Sequence, residues 1–233
     1  MRVIFLYCCC FFYCHVFSLP IIEVSKLPES NLVNLYNINA KKESRDYAIQ
    51  YDTAVINQLK AQLLSVNNLI KSKLLNSGLF MVMDAQPTIN AWQSESPNIL
   101  SYLYNAPIIS ESQYLIQKNK KLSAKLTPRY VLIGWITSID SWKRKEKIFN
   151  SDKISFLSGL DIWVKYRLVD SYSKQVTTEF TALGHYGLAK ILPDLNKNIN
   201  FAAEPIIEGA IDNLVNDILR AVSAEFSDYY LVN

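Results

Sequence analysis

Cysteine and histidine are the residues of this 233-residue chain best suited to metal, redox or nucleophilic chemistry. All four cysteines lie within the first fourteen residues, and only one of the two histidines, His185, lies beyond residue 15. A zinc site, a Cys–His nucleophile pair or a thioredoxin-like motif needs these residue types together in one folded domain. The nature of the N-terminal segment therefore decides whether such chemistry is available. The four cysteines are Cys8, Cys9, Cys10 and Cys14.

The N-terminal segment has the pattern of a secretory signal peptide. Arg2 precedes an apolar run, Val3–Phe17, and Val16 and Ser18 suit the −3 and −1 positions of a cleavage site. The run is shorter than the roughly 20 residues that a membrane-spanning helix needs. The sequence therefore predicts that residues 1–18 are cleaved off after Ser18, and that the chain is exported to the periplasm or the outer membrane.

Two alternatives for this segment stay open, an uncleaved N-terminal anchor and a lipoprotein signal in which a cysteine is acylated. The bulky residues Phe11, Phe12 and Tyr13 before Cys14 differ from the small residues that usually precede an acylated cysteine. Cleavage after Ser18 removes every cysteine, although the predicted compartment would permit disulfides. We therefore expect the mature domain to contain no disulfide, no thiol chemistry and no bound metal.

His185 is the remaining candidate for acid–base chemistry. A general base needs an orienting acid and a nucleophile nearby, and the sequence around His185 offers no pattern that supplies them. The chain also contains no nucleophile elbow, Walker loop, dinucleotide-binding glycine fingerprint or His-Glu-x-x-His motif. We expect His185 to be a turn residue just past a strand, and the chain to be no enzyme, with no catalytic residue and no cofactor. A hydrolase built around His185 is the catalytic alternative.

Two groups of aromatic and basic residues are candidates for partner binding. The first is the polar side of a predicted strand, where ion pairs with Glu179 across a hairpin are the simpler interpretation. The second is a basic run beside Trp142, predicted to lie in a loop. A formal net charge of +3 is too small to favour nucleic acid as the partner. The candidates are Trp142, Lys143, Arg144, Lys145, Trp163, Lys165 and Arg167.

The elements that must position these residues follow from composition and periodicity. Half of the residues are hydrophobic and 19% are charged, which excludes a disordered chain, and 6 glycines and 8 prolines exclude a collagen-like one. Apolar residues at three- and four-residue steps predict helices, and strict alternation predicts strands. We predict helices over residues 46–76, 110–122 and 202–226, strands over 32–38, 79–84, 130–136, 160–168 and 176–184, a turn over 170–174, and irregular structure over 85–107.

These elements predict a single α/β (α+β) domain with a mixed sheet, an antiparallel C-terminal hairpin and flanking helices. The domain is expected over residues 32–226. An extended N-terminal arm over 19–31 precedes it, and a C-terminal tail over 227–233 follows it.

Four stretches resemble the superfamily that includes the curli-secretion channel protein CsgG, the penicillin-binding-protein activator LpoB and the N-terminal domain of TolB. Residues 73–84 resemble the family's helix end leading into an apolar strand that closes in Asp84. Residues 130–136 resemble its central strand, 160–184 its hairpin with Asp170 at the turn, and the segment from Ala202 its closing helix. The chain departs from the family at Ser173, where the family turn usually carries glycine before the lysine.

The resemblance implies a non-catalytic accessory protein of the bacterial envelope that acts by protein–protein contact, as activators of peptidoglycan synthases or secretion-assembly factors do. It implies a second envelope protein as the partner, with outer-membrane association and homo-oligomerisation left open. The alternative is an oligomeric outer-membrane secretion-channel component of the curli type. The segment from Trp142 to Ser158 is short and charged, whereas channel-forming members thread long membrane hairpins.

Overall fold

The computed structural model describes residues 19–27, 53–83, 86–108, 129–193 and 201–231. The predicted signal peptide, the predicted strand over 32–38 and the predicted helix over 110–122 lie outside the described residues. Within the described part of the chain, no helix is both long enough and apolar enough to cross a bilayer.

The fold is built on a five-stranded mixed sheet with the order β2-β1-β3-β4-β5. β1 pairs in parallel with both β2 and the start of β3, with Ile22 opposite Tyr130, whereas β3, β4 and β5 form an antiparallel meander. The mixed sheet with flanking helices confirms the predicted fold class. The strands are β1 (Ile21–Val24), β2 (Met81–Met83), β3 (Tyr130–Lys147), β4 (Ile154–Asp170) and β5 (Gln175–Leu192).

Two long helices, α1 (Thr53–Asn76) and α4 (Ala203–Leu231), pack on one face of the sheet, which we call the core face. The alternation predicted for β4 places its apolar residues here, because successive side chains of a strand point to opposite faces. α1 ends at Asn76 as predicted, and Gly78 takes the left-handed conformation expected of a helix cap, with φ of +70°. The β4 residues buried on this face are Leu160, Ile162, Val164, Tyr166 and Leu168.

The opposite face, which we call the outer face, carries two short helices, α2 (Pro87–Glu95) and α3 (Ile99–Asn105). They pack where β3 begins and β4 ends, and the prediction of irregular structure over 85–107 is wrong. α2 starts at Pro87, and its first amides are capped by the buried carboxylate of Glu23 in β1, which accepts from the Thr88 and Ile89 amides at 3.1 and 3.0 Å. The capping residue lies more than sixty positions before the helix in the sequence.

Other predicted boundaries also differ from the structure, including that of β4, which the sequence predicts over 160–168 and which spans Ile154–Asp170. The predicted arm over 19–31 contains β1, whose apolar residues join the core. The strands predicted over 130–136 and 176–184 continue to Lys147 and Leu192, because the antiparallel pairing of the meander runs on past the apolar stretches. The basic run after Trp142 therefore lies within β3 and not in a loop. The predicted tail over 227–233 is also wrong, since α4 continues to Leu231.

Candidate functional site

The register of the meander gathers several candidate residues on the outer face. Trp142 lies opposite Gly159, which lies opposite Gly187, and Asp161 lies opposite His185. Residues directly opposite each other in a sheet share a face. Beyond the region that α2 and α3 cover, the outer face therefore carries an aromatic and polar group. We call Trp142, Asp161, Trp163 and His185 the open-face cluster.

Two glycines make room for the indole of Trp142. A β-carbon placed on Gly159 would lie 2.2 Å from the Trp142 ring, and one placed on Gly187 would lie 2.9 Å from it. Both distances are far below van der Waals contact, so the ring lies directly against the backbone of β4 and β5. The guanidinium of Arg144 lies over the indole, 5.2 Å from the ring centroid, at the distance of a cation–π contact.

Asp161 holds two rings at once. One of its oxygens, Oδ1, lies 2.6 Å from His185 Nδ1 and accepts a hydrogen bond from Trp142 Nε1 at 3.2 Å. An ionised carboxylate only accepts, so Nδ1 of His185 carries a proton and Nε2 is left for other contacts. The two rings are nearly parallel, with an interplanar angle of 18° and centroids 6.0 Å apart. The cluster is therefore pre-organised by its own hydrogen bonds.

The backbone of His185 is fixed as well. Its carbonyl oxygen accepts a hydrogen bond from Asn213 Nδ2 at 2.6 Å, and the amide of Leu183 donates to Asp217 Oδ2 at 3.0 Å. Asn213 and Asp217 lie one turn apart on α4, so the helix supplies hydrogen-bond partners to the backbone of β5, the edge strand, at this point. The His185 side chain itself is 59% exposed.

Trp163 is the large exposed aromatic of the cluster, with 39% of its surface accessible to solvent. It lies beside a β-bulge in β3, where the pairing shifts between Ile136 and Ser138. Thr137 at the bulge donates a hydrogen bond to the Trp163 carbonyl oxygen at 3.1 Å. Bulges redirect side chains on a sheet, and this one stands next to the exposed Trp163.

Arg167 has a structural position. It is 8% exposed, and its Nη1 donates to the carbonyl oxygens of Leu103 and Ala106, each at 2.7 Å, while Nε donates to Glu179 Oε2 at 2.6 Å. The first two acceptors lie at the C-terminal end of α3, where carbonyl groups lack helical partners and cations are favourable. Arg167 therefore fastens α3 to the sheet and is not available to a partner.

Lys165 shares Glu179 with Arg167 across the β4–β5 pair. Partial burial of Glu179 opposes its ionisation, but hydrogen bonds from Lys165 and Arg167 and their positive charges outweigh that effect. The pKa of Glu179 consequently lies below its ordinary value. The cross-strand ion pairs predicted with Glu179 are confirmed.

The predicted partner-binding residues thus fall into three places. Trp142, Arg144 and Trp163 lie together on the uncovered part of the outer face, whereas Lys165 and Arg167 belong to the ion-pair group beside α3. Lys143 and Lys145 alternate to the core face, where Lys145 Nζ lies 4.6 Å from the centroid of the Phe156 ring. The prediction divided these seven residues into a strand group and a loop group, whereas the structure divides them into three.

The interpretation of His185 changes most. The sequence predicts a turn residue without an acid partner, but His185 lies inside β5 and pairs with Asp161. The signal that could have found this pair is the turn at Asp170–Lys174: pairing counted outward from it, with one bulge residue, brings His185 opposite Asp161. Among the described residues, no group of three or more His, Cys, Asp or Glu side chains could hold a metal ion.

No protein-family model and no curated protein matches this chain. Among solved structures it is similar to a candidate homolog of neuraminyllactose-binding hemagglutinin from Helicobacter pylori, with 9% identity, a TM-score of 0.40 and coverage of 92% of this chain and 89% of that one. A lipoprotein from Neisseria meningitidis has 13% identity and a TM-score of 0.33, with coverage of 88% and 99%. A protein from Xanthomonas campestris has 8% identity and a TM-score of 0.33, with coverage of 89% of each chain. At these identities and TM-scores, the similarities place the chain in no family.

Proposed function

We propose that this chain is a non-catalytic accessory protein of the bacterial envelope, and that it binds another envelope protein through the open-face cluster. The observation that carries the proposal is the large exposed indole of Trp163 on the same uncovered face as the fixed rings of Trp142 and His185. Placement in the envelope rests on the export segment predicted over residues 1–18 and on the resemblance of residues 73–84, 130–136 and 160–184 to the CsgG, LpoB and TolB superfamily.

The cluster has the physical properties of a binding hot spot. Tryptophan is enriched among residues that dominate binding energy, and the cluster contains two, Trp142 and Trp163. Asp161 already orders the rings of Trp142 and His185, so a partner has to order few side chains when it binds. His185 Nε2 offers one directional polar contact at the margin of the apolar surface.

Photo-crosslinking in living cells tests the proposal. A photoreactive amino acid at position 163 is compared with one at Tyr172, which is 45% exposed on the turn between β4 and β5, beyond the end of β4. We expect a discrete crosslinked protein at position 163 and none at position 172. The same crosslinked bands at both positions, or no crosslinked protein at either, would contradict the proposal.

A binding measurement with the crosslinked partner then shows how much Trp163 contributes to the binding free energy. We expect Trp163→Ala to weaken binding roughly 30-fold, in line with a hot-spot loss of about 2 kcal/mol. Because part of the indole is buried, the free energy of unfolding should fall by about 1–2 kcal/mol, which leaves the chain folded. Tyr172→Ala serves as the matched control and should leave the affinity unchanged.

A further inference from the structure

The turn between β3 and β4 presents an unusually exposed aromatic side chain. Phe149 is 89% exposed at this turn, and Ile191 at the same end of β5 is 62% exposed. The turn itself is ordered by hydrogen bonds: the Ile148 amide donates to the Lys153 carbonyl oxygen at 3.1 Å, and the Ser151 amide donates to the Ile148 carbonyl oxygen at 3.2 Å. A fixed turn thus holds an apolar ring in water, and nothing in the packing of the described residues requires the ring there.

The same end of the sheet concentrates positive charge. The stretch from Lys143 to Lys153 contains five basic and two acidic residues, a net charge of +3. That value equals the formal charge of the whole chain, +3, so the remaining residues balance to zero. Lys147 and Lys153 are exposed on either side of Phe149, and Lys190 adds a further cation on β5.

We propose that this end, which we call the hairpin tip (Lys143–Lys153), docks on the surface of a bilayer containing anionic phospholipid. Lysines near a membrane surface are attracted by anionic headgroups, and an exposed aromatic ring gains by entering the interface between headgroups and acyl chains. A soluble polyanion would be attracted by the lysines equally well, but it would give Phe149 no apolar environment. The pairing of an exposed Phe with surrounding lysines therefore favours the lipid surface.

Long side chains on both sides of the tip suit this geometry. Lys145 and Lys190 lay their ammonium groups over Phe156 and Phe201, at 4.6 and 5.3 Å from the ring centroids. Both lysines are exposed, and these cation–π contacts hold positive charge beside aromatic surface at this end of the sheet. Phe149, Lys147 and Lys153 lie apart from Trp163 along the meander, so changes at these residues leave the proposed partner surface unaltered.

Vesicle co-sedimentation of the full chain tests the proposal. The probes are vesicles of phosphatidylcholine alone and of phosphatidylcholine mixed with phosphatidylglycerol. We expect binding only to the mixed vesicles, with a loss of roughly fivefold for Phe149→Ser and 20-fold or more for Lys147→Ala combined with Lys153→Ala, at about fivefold per lysine. The charge-matched control combines Lys26→Ala with Arg220→Ala, two exposed cations far from the tip, and should bind as the unchanged chain does.

Three results would overturn the proposal. These are no binding to the mixed vesicles, an equal loss for the control pair, and binding to soluble polyphosphate that exceeds vesicle binding and is unaffected by Phe149→Ser. The depth to which residue 149 inserts is checked with Phe149→Trp. The fluorescence of the added tryptophan should be quenched by brominated phospholipid. Phe149→Ser should leave crosslinking at position 163 intact, so this proposal and the proposed function can fail separately.

Discussion

Arg167 gives the sharpest test of how the outer face is assembled. The sequence groups it with partner-binding residues, whereas the structure uses it to join α3 to the sheet. Arg167→Met keeps most of the aliphatic stem and removes the guanidinium. The change leaves the carbonyl oxygens of Leu103 and Ala106 without their donor, and Glu179 with Lys165 as its remaining cation.

The expected cost follows from the groups that lose partners. Breaking a buried ion pair by removing one member costs about 3–5 kcal/mol, and each hydrogen bond to a charged group contributes about 1.5–3 kcal/mol. Two features reduce the sum: the Glu179 side chain is 20% exposed, and it keeps Lys165. We therefore expect a loss of about 3 kcal/mol in the free energy of unfolding. For a domain of this size, the melting temperature should fall by roughly 6–12 °C.

Urea unfolding followed by circular dichroism measures this loss, and hydrogen exchange shows where it acts. Amides of α3 should lose protection in Arg167→Met, because that helix loses its attachment. The matched control is Arg144→Met, an exposed arginine, which should change the free energy by less than about 0.5 kcal/mol. A loss below about 1 kcal/mol for Arg167→Met, or equal effects at both positions, would refute the structural role assigned to Arg167.

Three further substitutions probe the packing and charge of the sheet. Gly184→Ala should destabilise by about 3 kcal/mol in urea unfolding, because its β-carbon would lie 2.3 Å from the Ala210 carbonyl oxygen and α4 would have to move. Gly159→Ala should cost about 1–3 kcal/mol and alter the near-ultraviolet circular dichroism, since it displaces the Trp142 indole; an unchanged spectrum would contradict the close packing of that indole on Gly159. The lowered pKa of Glu179 stabilises the fold above its ordinary value of 4.5, and this contribution disappears as the pH falls through the lowered value. Glu179→Gln should therefore reduce the loss of stability between pH 7 and acid, and an unchanged pH profile would count against the ion pairs.

Periodicity predicted the parts of the fold that local sequence determines. β4 and α1 each bury one face, so the pattern of apolar residues within the element is enough to predict it. The position of Gly78 after the helix also predicted a left-handed cap at the C-terminus of α1, as observed. At the β4–β5 turn the positive φ, 55°, falls on Lys174, so Ser173 needs no left-handed conformation.

The missed features depend on partners that are distant in sequence. α2 has no capping side chain of its own, since Glu23 supplies it from β1, and α3 is held by Arg167 from β4. The indole of Trp142 is positioned by Gly159 and Gly187, which meet only when the full register of the meander is known. Local propensity carries no information about such contacts, and irregular structure over 85–107 was the natural prediction from three prolines and many polar residues.

The parallel pairing of β1 with the start of β3 has a consequence for the reach of the molecule. The chain enters the sheet beside Tyr130, while the β3–β4 turn lies at the far end of β3, a strand of 18 residues. At about 3.3 Å per residue, these two points are separated by roughly 60 Å. If the N-terminal segment held the chain to a membrane, Phe149 would lie at that distance from the attachment point. A chain cleaved after Ser18 is instead free to turn the hairpin tip toward the bilayer. Cleavage after Ser18 would therefore determine whether the hairpin tip can contact the bilayer.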